Sequence, residues 1–231
     1  MLSVSTKSTK NQKRICIFFD LDGTLTDPML GITKCVQYAL AAFGIQEPDL
    51  NQLTKFIGPP LIPAFKEFYG ADDDTAQKML IKYRERFSTV GLYENKIYPG
   101  ISQLLKNLKA QPDRYIVALA TSKPLHFAEK ILDHFNIKQY FDILSGATMD
   151  ESRNTTEAVL AYGLSQLRQR CPDAEAVMIG DRKFDVEAGK RLGTKTVGVL
   201  YGYGSKEEIR AANPTHIVNT VTELQSVLLS Y

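Results

Sequence analysis

The sequence predicts an α/β protein, with a doubly wound, Rossmann-like parallel sheet core and an inserted all-helical cap. Short apolar runs alternate with amphipathic helical patterns, and strands that alternate with helices form a parallel sheet through right-handed crossovers. The alternation is interrupted once, between residues 31 and 91, where helical patterns follow one another without a strand. The 231 residues are enough for a core of about 150 residues with a second unit attached.

Continuous apolar runs predict strands that are buried on both faces of the sheet. They are Ile15–Phe19, 115–120, 176–179 and 196–200, with weaker candidates at 141–144 and 216–218. Helical patterns occupy the intervening segments, 101–110, 125–135, 155–168, 185–192 and 207–212. Ser205 with Glu208 and Thr220 with Glu223 have capping-box spacing, which predicts where the last two helices begin.

The inserted segment contains helical patterns at 32–43, 49–56, 64–69 and 75–87. We therefore expect a helical cap at 28–95, inserted into a core formed by 14–27 and 96–231. Residues 1–13 are rich in Ser, Thr and Lys and lack the apolar stretch of a secretory signal, so we expect a disordered tail there.

Composition argues against several functional classes. The chain is 44% apolar and 23% charged, as is typical of a globular protein. Its formal net charge of +2 argues against a nucleic-acid partner, which needs a strongly basic surface. No run reaches the roughly 18 apolar residues of a transmembrane helix, which argues against a membrane protein. The three cysteines lie far apart without metal-ligand spacing, so we expect reduced thiols and a cytoplasmic location.

Two aspartates, Asp20 and Asp22, follow the first predicted strand directly. Residues two apart in an extended chain point to the same side, and open α/β sheets bind ligands at the carboxyl ends of their strands. Two close carboxylates repel each other unless a cation lies between them, and oxygen ligands favour Mg²⁺. Gly23 permits a sharp turn and exposes backbone N–H groups that can hold an anion. The alternative is that both aspartates only cap a loop.

Polar residues also follow the next two core strands. Thr121 and Ser122 precede a predicted helix, whose N-terminus favours anions. Asp181 follows a later strand, and Asp185 comes four residues after it. Taken singly, Ser122 and Asp185 are also consistent with ordinary helix caps. Three such groups in this order are more specific than any one of them, and they indicate a site for phosphate and metal.

Together these motifs resemble those of the haloacid dehalogenase-like hydrolases. The matching segments are Asp20-x-Asp22-Gly-Thr-Leu-Thr, Thr121-Ser122 and Gly180-Asp181-x-x-x-Asp185. The inserted segment resembles the C1-type cap of this family. Asp27-Pro28 and the segments 56–60 and 98–100 most resemble the phosphoglycolate phosphatase and 5′-nucleotidase branch, and the resemblance extends over residues 14–230.

The resemblance implies Mg²⁺-dependent hydrolysis of a small phosphorylated metabolite through an aspartyl-phosphate intermediate. Asp20 would be the nucleophile, and Asp22 would protonate the leaving oxygen and then activate water. Mg²⁺ would be held by Asp20, the backbone carbonyl of Asp22 and Asp181, with Asp185 either coordinating directly or supporting a ligand. We expect a monomer or a weak homodimer.

The resemblance also assigns the phosphoryl oxygens and the substrate contacts. Thr121, with backbone N–H groups around Gly23 and Ser122, would bind the transferring phosphoryl group. The cap would select the leaving group, and the segment 56–61 is our candidate for contacting it. The cap would close over the site and reopen to release product.

One position departs from the family pattern. The family has a lysine near the start of the helix after the third core strand, and this chain has Thr156 there. Arg153 and Lys183 are candidates for a substitute cation in phosphate binding, and Lys123 is another. Two alternatives therefore stay open: a weakened homologue that binds a phosphorylated ligand or a partner without useful turnover, and a phosphomutase, which shares the two aspartates.

Overall fold

The computed structural model describes residues 13–150 and 152–231. The expected tail, residues 1–13, lies outside these ranges except for Lys13, and Glu151 also lies outside them.

The core is a six-stranded parallel sheet, which confirms the predicted fold class. The strands lie in the order β5-β4-β1-β6-β7-β8. Their bounds are β1 Ile15–Phe19, β4 Tyr115–Pro124, β5 Ile143–Ala147, β6 Glu175–Gly180, β7 Lys195–Val199 and β8 His216–Val218. β1 is central and pairs with β4 on one side and with β6 on the other.

The alternating side chains of β1 explain its continuous apolar run. Ile17 and Phe19 belong to the hydrophobic core on one face of the sheet, and Cys16 and Phe18 belong to the core on the other. All four are fully buried. A strand covered on both faces needs apolar residues at every position, so the sequence shows no polar alternation.

β5 begins two residues later and ends three residues later than predicted, at Ile143–Ala147 instead of 141–144. Its later part consists of Ser145, Gly146 and Ala147, which are too small to give a hydrophobic signal. A Cβ on Gly146 would lie 2.9 Å from the Cα of Leu125, so the backbones pass too closely there for a larger residue.

Helices cover both faces of the sheet. They are α4 Ile101–Lys109, α5 Leu125–His134, α6 Thr156–Arg170, α7 Lys183–Arg191, α8 Lys206–Ala212 and α9 Val221–Leu229. Ser205 accepts the N–H of Glu208, and Thr220 accepts the N–H of Glu223, so both predicted helix starts are confirmed. α7 begins two residues earlier than predicted, which makes Asp185 its third residue.

Between residues 28 and 95, all of which are described, the structure has helices and turns and no strand. The helices are α1 Met29–Ala41, α2 Leu61–Tyr69 and α3 Asp73–Arg86, with a 3-10 helix at Leu50–Phe56 and a π-helical turn at Phe87–Gly91. α2 starts three residues earlier than predicted, because a proline such as Pro63 is tolerated in the first turn of a helix. At the ends of this segment, β2 Thr26–Asp27 pairs antiparallel with β3 Lys96–Ile97.

Within the described ranges, every helix is too short or too polar to cross a lipid bilayer.

We expect Gly31→Ala to destabilise the protein although alanine favours helices. Gly31 lies in α1, where its N–H donates to the carbonyl of Glu94, and a Cβ there would overlap the carbonyl oxygen of Gly91. Backbone atoms cannot rotate away, so the free energy of unfolding should fall by about 1–3 kcal/mol in urea titrations. Leu30→Ala, at an exposed neighbouring position, is the control and should change it by less than about 0.5 kcal/mol. An unchanged or raised stability of Gly31→Ala would contradict this packing.

Candidate active site

Three buried carboxylates meet at the carboxyl ends of β1 and β6. Asp20 follows β1, Asp181 follows β6, and Asp185 lies in the first turn of α7; one oxygen of each lies within 4.8 Å of the others. β1 and β6 are in register, with Phe19 beside Ile179, and the N–H of Asp20 donates to the carbonyl of Ile179 at 2.9 Å. The register of two adjacent strands therefore brings together residues that are far apart in sequence.

Glycines make room for the carboxylate of Asp181. Gly23 has a φ of +85°, and a Cβ there would overlap that carboxylate. Gly202 and Gly204, in the loop after β7, would overlap the side chain and the backbone of Asp181 in the same way. The N–H of Gly23, one of the backbone groups expected to bind phosphate, donates to the carbonyl of Thr26 at 2.7 Å and closes a turn.

The electrostatics of the cluster require a cation or protons. Burial, together with the neighbouring carboxylates, raises the pKa of Asp20 well above its usual range and that of Asp185 to about 8. Burial also raises the pKa of Asp181 to about 6. Ionising all three groups is therefore unfavourable unless positive charge lies among them.

The donor set fits a divalent cation with a preference for oxygen. Asp181 Oδ2 accepts the N–H of Tyr203 at 2.6 Å, whereas its Oδ1 is buried and has no hydrogen-bond partner among the described residues. Buried polar atoms are rarely left unpaired, so an unpaired carboxylate oxygen beside two further carboxylates fits a ligand for Mg²⁺. The buried Asp20, Asp181 and Asp185 could thus hold a metal ion.

Asp22 lies outside this cluster and pairs with a lysine. Its Oδ2 lies 2.7 Å from Nζ of Lys123, whose side chain is only 6% exposed. The same Nζ lies 4.5 Å from the ring centre of Phe87, a residue of the inserted helical segment. Asp22 and Asp20 thus have different environments, one beside a buried cation and the other beside two carboxylates.

Thr121 and Ser122 lie at the end of β4 and line the same cavity as Asp20 and Asp22. Thr121 is buried, and its hydroxyl accepts the N–H of Lys123 at 3.3 Å. The hydroxyl of Ser122 donates to the carbonyl of Gly58 at 3.4 Å, which links the end of β4 to the inserted segment.

Two of the three candidate substitute cations, Arg153 and Lys183, are not among the described residues that line this cavity. Arg153 donates from Nε to the carbonyl of Gly146 at 3.0 Å, and its guanidinium lies over the ring of Tyr162. Lys183, the first residue of α7, is exposed, and its Nζ lies 5.4 Å from the ring centre of Phe184. Thr156, which the sequence analysis aligned with the family's lysine, does line the cavity.

Two arginines that the sequence analysis did not single out also line the cavity. Arg84 lies on α3 of the inserted segment. Arg182 follows Asp181, donates to the carbonyl of Ile57 at 2.6 Å and pairs with Glu208 at 2.9 Å. Its position next to Asp181 was a usable sequence signal, whereas nothing local marks Arg84.

Comparison with known proteins agrees with this architecture. Residues 17–199 match the family model of the haloacid dehalogenase-like hydrolases. A 5′-nucleotidase of Pseudomonas aeruginosa is 43% identical over 215 residues, which are 93% of this chain and 96% of that protein. A phosphoglycolate phosphatase of Vibrio parahaemolyticus is 29% identical over 221 residues, covering 92% of this chain and 95% of the other.

The similarity extends to solved structures. The crystal structure of a predicted phosphatase from Clostridium acetobutylicum matches with a TM-score of 0.88 and 42% identity, covering 95% of this chain and 100% of that one. The parallel α/β core, with buried carboxylates at the ends of its central strands, is consistent with a hydrolase of this family. The chain belongs to the haloacid dehalogenase-like hydrolases, which confirms the resemblance seen in its motifs.

In the metal-free protein we expect the free energy of unfolding to fall as the pH rises from about 4 to about 8. The unfolded chain, with a pKa of about 3.9, releases the protons of these carboxyl groups first, whereas the folded state retains a proton on Asp181 up to about pH 6 and on Asp185 up to about pH 8. Each group contributes at most about 1.4 kcal/mol per pH unit. Urea unfolding in EDTA measures the slope.

Asp185→Asn should make this slope shallower, because the variant no longer carries one of the ionising groups. Asp113→Asn is the matched control, since Asp113 is exposed and far in sequence from the cluster. A slope that is the same in Asp185→Asn and in the unchanged protein would show that the cluster does not govern this pH dependence.

Proposed function

We propose that the protein is a Mg²⁺-dependent phosphatase that hydrolyses a small phosphate monoester through an aspartyl-phosphate on Asp20. The observation that carries the proposal is the division of four aspartates into two environments. Asp20 lies with Asp181 and Asp185 in a cluster that fits a cation, whereas Asp22 is held separately by Lys123. A cation bound among Asp20, Asp181 and Asp185 would keep Asp20 ionised as the nucleophile, and Asp22, which lies outside that cluster, would transfer the proton.

In the first step, a carboxylate oxygen of Asp20 attacks phosphorus and the ester P–O bond breaks. Asp22 donates a proton to the leaving oxygen, which departs as an alcohol. In the second step, Asp22 removes a proton from water, the water oxygen attacks phosphorus, and the bond to Asp20 breaks. Inorganic phosphate leaves, and both aspartates return to their starting states.

The proposed metal site consists of oxygen ligands at the carboxyl ends of β1 and β6. Asp20, Asp181, the backbone carbonyl of Asp22 and, directly or in support, Asp185 would hold Mg²⁺. When bound, Mg²⁺ neutralises negative charge on the nucleophile and on the phosphoryl oxygens. Thr121 and Ser122 contribute hydroxyls to the same cavity and would orient the phosphoryl group.

The inserted segment, acting as a cap, would select the leaving group. It contributes a mostly apolar wall to the cavity, including Phe56, Leu61 and Tyr83. An apolar wall favours a nucleoside leaving group over glycolate, which has almost no apolar surface to bury. The 43% identity to a protein named 5′-nucleotidase supports a nucleoside monophosphate as the substrate.

A weakened, ligand-binding homologue is the second candidate. Thr156 lines the cavity where the family has a lysine, so one positive charge is absent from that position. Turnover measured in the presence of Mg²⁺ separates the two candidates. A phosphomutase would be recognised by transfer of the phosphoryl group to a second hydroxyl, with no release of phosphate.

With Mg²⁺ present, we expect measurable hydrolysis of an aryl phosphate by the unchanged protein and none by Asp20→Asn. The amide of asparagine cannot form the acyl-phosphate, and its volume is close to that of aspartate. Released phenolate measured by absorbance reports the rate, and Asp113→Asn serves as an exposed control. Equal rates for the unchanged protein and Asp20→Asn would overturn the enzymatic proposal.

Lys123→Met should lower kcat/KM by about 10²–10³, the usual effect of removing a preorganised charge from an active site. Thr156→Lys should raise the rate, because it returns a positive charge to the cavity wall. Both are measured with the aryl phosphate, and Lys106→Met, at an exposed position on α4, is the control. If Lys123→Met were as active as the control, its ion pair with Asp22 would have no part in turnover.

A further inference from the structure

The loop after β7, Tyr201-Gly202-Tyr203-Gly204, packs directly on Asp181. The backbone N–H of Tyr203 donates to Asp181 Oδ2 at 2.6 Å. Neither Gly202 nor Gly204 has room for a Cβ, because each would overlap Asp181. A shift of this carboxylate must therefore move the loop as well.

The same loop contacts both chain segments that lead into the cap. We define the hinge as β2, Thr26–Asp27, and β3, Lys96–Ile97, with the residues next to them. The Tyr203 phenol donates a hydrogen bond to Asp27 Oδ1. The Tyr201 phenol donates to the carbonyl of Thr24 at 3.1 Å, and its ring packs edge-on against that of Tyr98, 5.0 Å away.

Asp27 carries this contact into the cap. Its Oδ1 also accepts the N–H of Met29, the first residue of α1, at 3.0 Å. One carboxylate oxygen thus holds both the start of a cap helix and the phenol of a core loop. Burial and the hydrogen bond to Asp27 raise the pKa of the Tyr203 phenol, so it remains a donor throughout the physiological pH range.

We infer that Tyr203 is a positioning residue that couples the metal site at Asp181 to the cap hinge, an inference that rests on the proposed function above. The coupling follows a chain of contacts: Asp181 holds the backbone of Tyr203, and the phenol of Tyr203 holds Asp27 at the base of α1. When a cation fixes Asp181, the loop and the hinge are fixed with it. The hinge is then less mobile in the metal-loaded protein than in the metal-free protein.

Tyr203→Phe tests the inference, because it removes the phenol oxygen and keeps the backbone N–H on Asp181. Hydrogen exchange of segments 24–29 and 94–98 is measured with and without Mg²⁺, and Mg²⁺ affinity is followed by thermal shift. We expect Mg²⁺ to slow hydrogen exchange in the hinge about tenfold in the unchanged protein. This is the size of effect that one hydrogen bond to a charged group, here the phenol on Asp27, contributes. In Tyr203→Phe the slowing should be less than about twofold, with Mg²⁺ half-saturation within about threefold of the unchanged protein.

Asp27 offers a matched pair of variants. Asp27→Asn keeps an oxygen acceptor for the phenol and for α1, so it should retain the Mg²⁺ effect on the hinge. Asp27→Ala should lose it, as Tyr203→Phe does. With the aryl phosphate, Tyr203→Phe should raise KM more than it lowers kcat, because the coupling acts on cap closure and not on the reacting atoms. Tyr38→Phe, which removes an exposed phenol from the cap, is the control.

Equal protection of the hinge by Mg²⁺ in Tyr203→Phe and in the unchanged protein would overturn the coupling and leave the phosphatase proposal intact. Loss of Mg²⁺ binding in Tyr203→Phe would also overturn it, since the residue would then act on the metal site alone. If the unchanged protein gave no thermal shift with Mg²⁺, the metal site of the proposed function would fail, and the coupling would fail with it.

Discussion

Several like charges are buried together at one edge of the sheet, and the surrounding elements are arranged around them. Asp20, Asp181 and Asp185 are nearly inaccessible to solvent, and ionising them there costs free energy unless protons or a cation compensate. A fold selected for stability alone would place apolar side chains at these positions, as it does along the whole of β1. The three carboxylates together could hold a cation.

The sheet and its loops hold these charges in place. β1 is hydrogen bonded on both sides, so Asp20 extends from the part of the sheet with the least freedom to move. Asp181 follows the neighbouring strand in the same register, and the glycines of the loop after β7 let the backbone approach it closely. The position of each carboxylate thus depends on hydrogen bonds and contacts from two or three separate segments.

The positive charge beside Asp22 comes from Lys123 of β4. Lys123 is buried between the carboxylate of Asp22 and the ring of Phe87, so the sheet and the inserted helical segment both contribute to its surroundings. The start of α6 contributes Thr156, a neutral residue, to the wall of the cavity. Two parts of the protein also meet at the hinge. Asp27 accepts hydrogen bonds from the N–H of Met29 in α1 and from the phenol of Tyr203 in the loop after β7.

The parallel α/β core, the helical insertion and the strand-end positions of the aspartates are all predictable from the sequence. Apolar runs, helical periodicity and strand-end motifs are local signals, and the order of strands and helices restricts the topology. Which cation lies beside which carboxylate is visible only in the folded protein. The sequence does not show which of the candidate cations, Lys123, Lys183 and Arg153, reaches a carboxylate. The direction of a long side chain depends on how its strand or helix packs against its neighbours. The contact between Tyr203 and Asp27 joins residues far apart in the chain, and no local pattern encodes it, because it exists only after the sheet has formed.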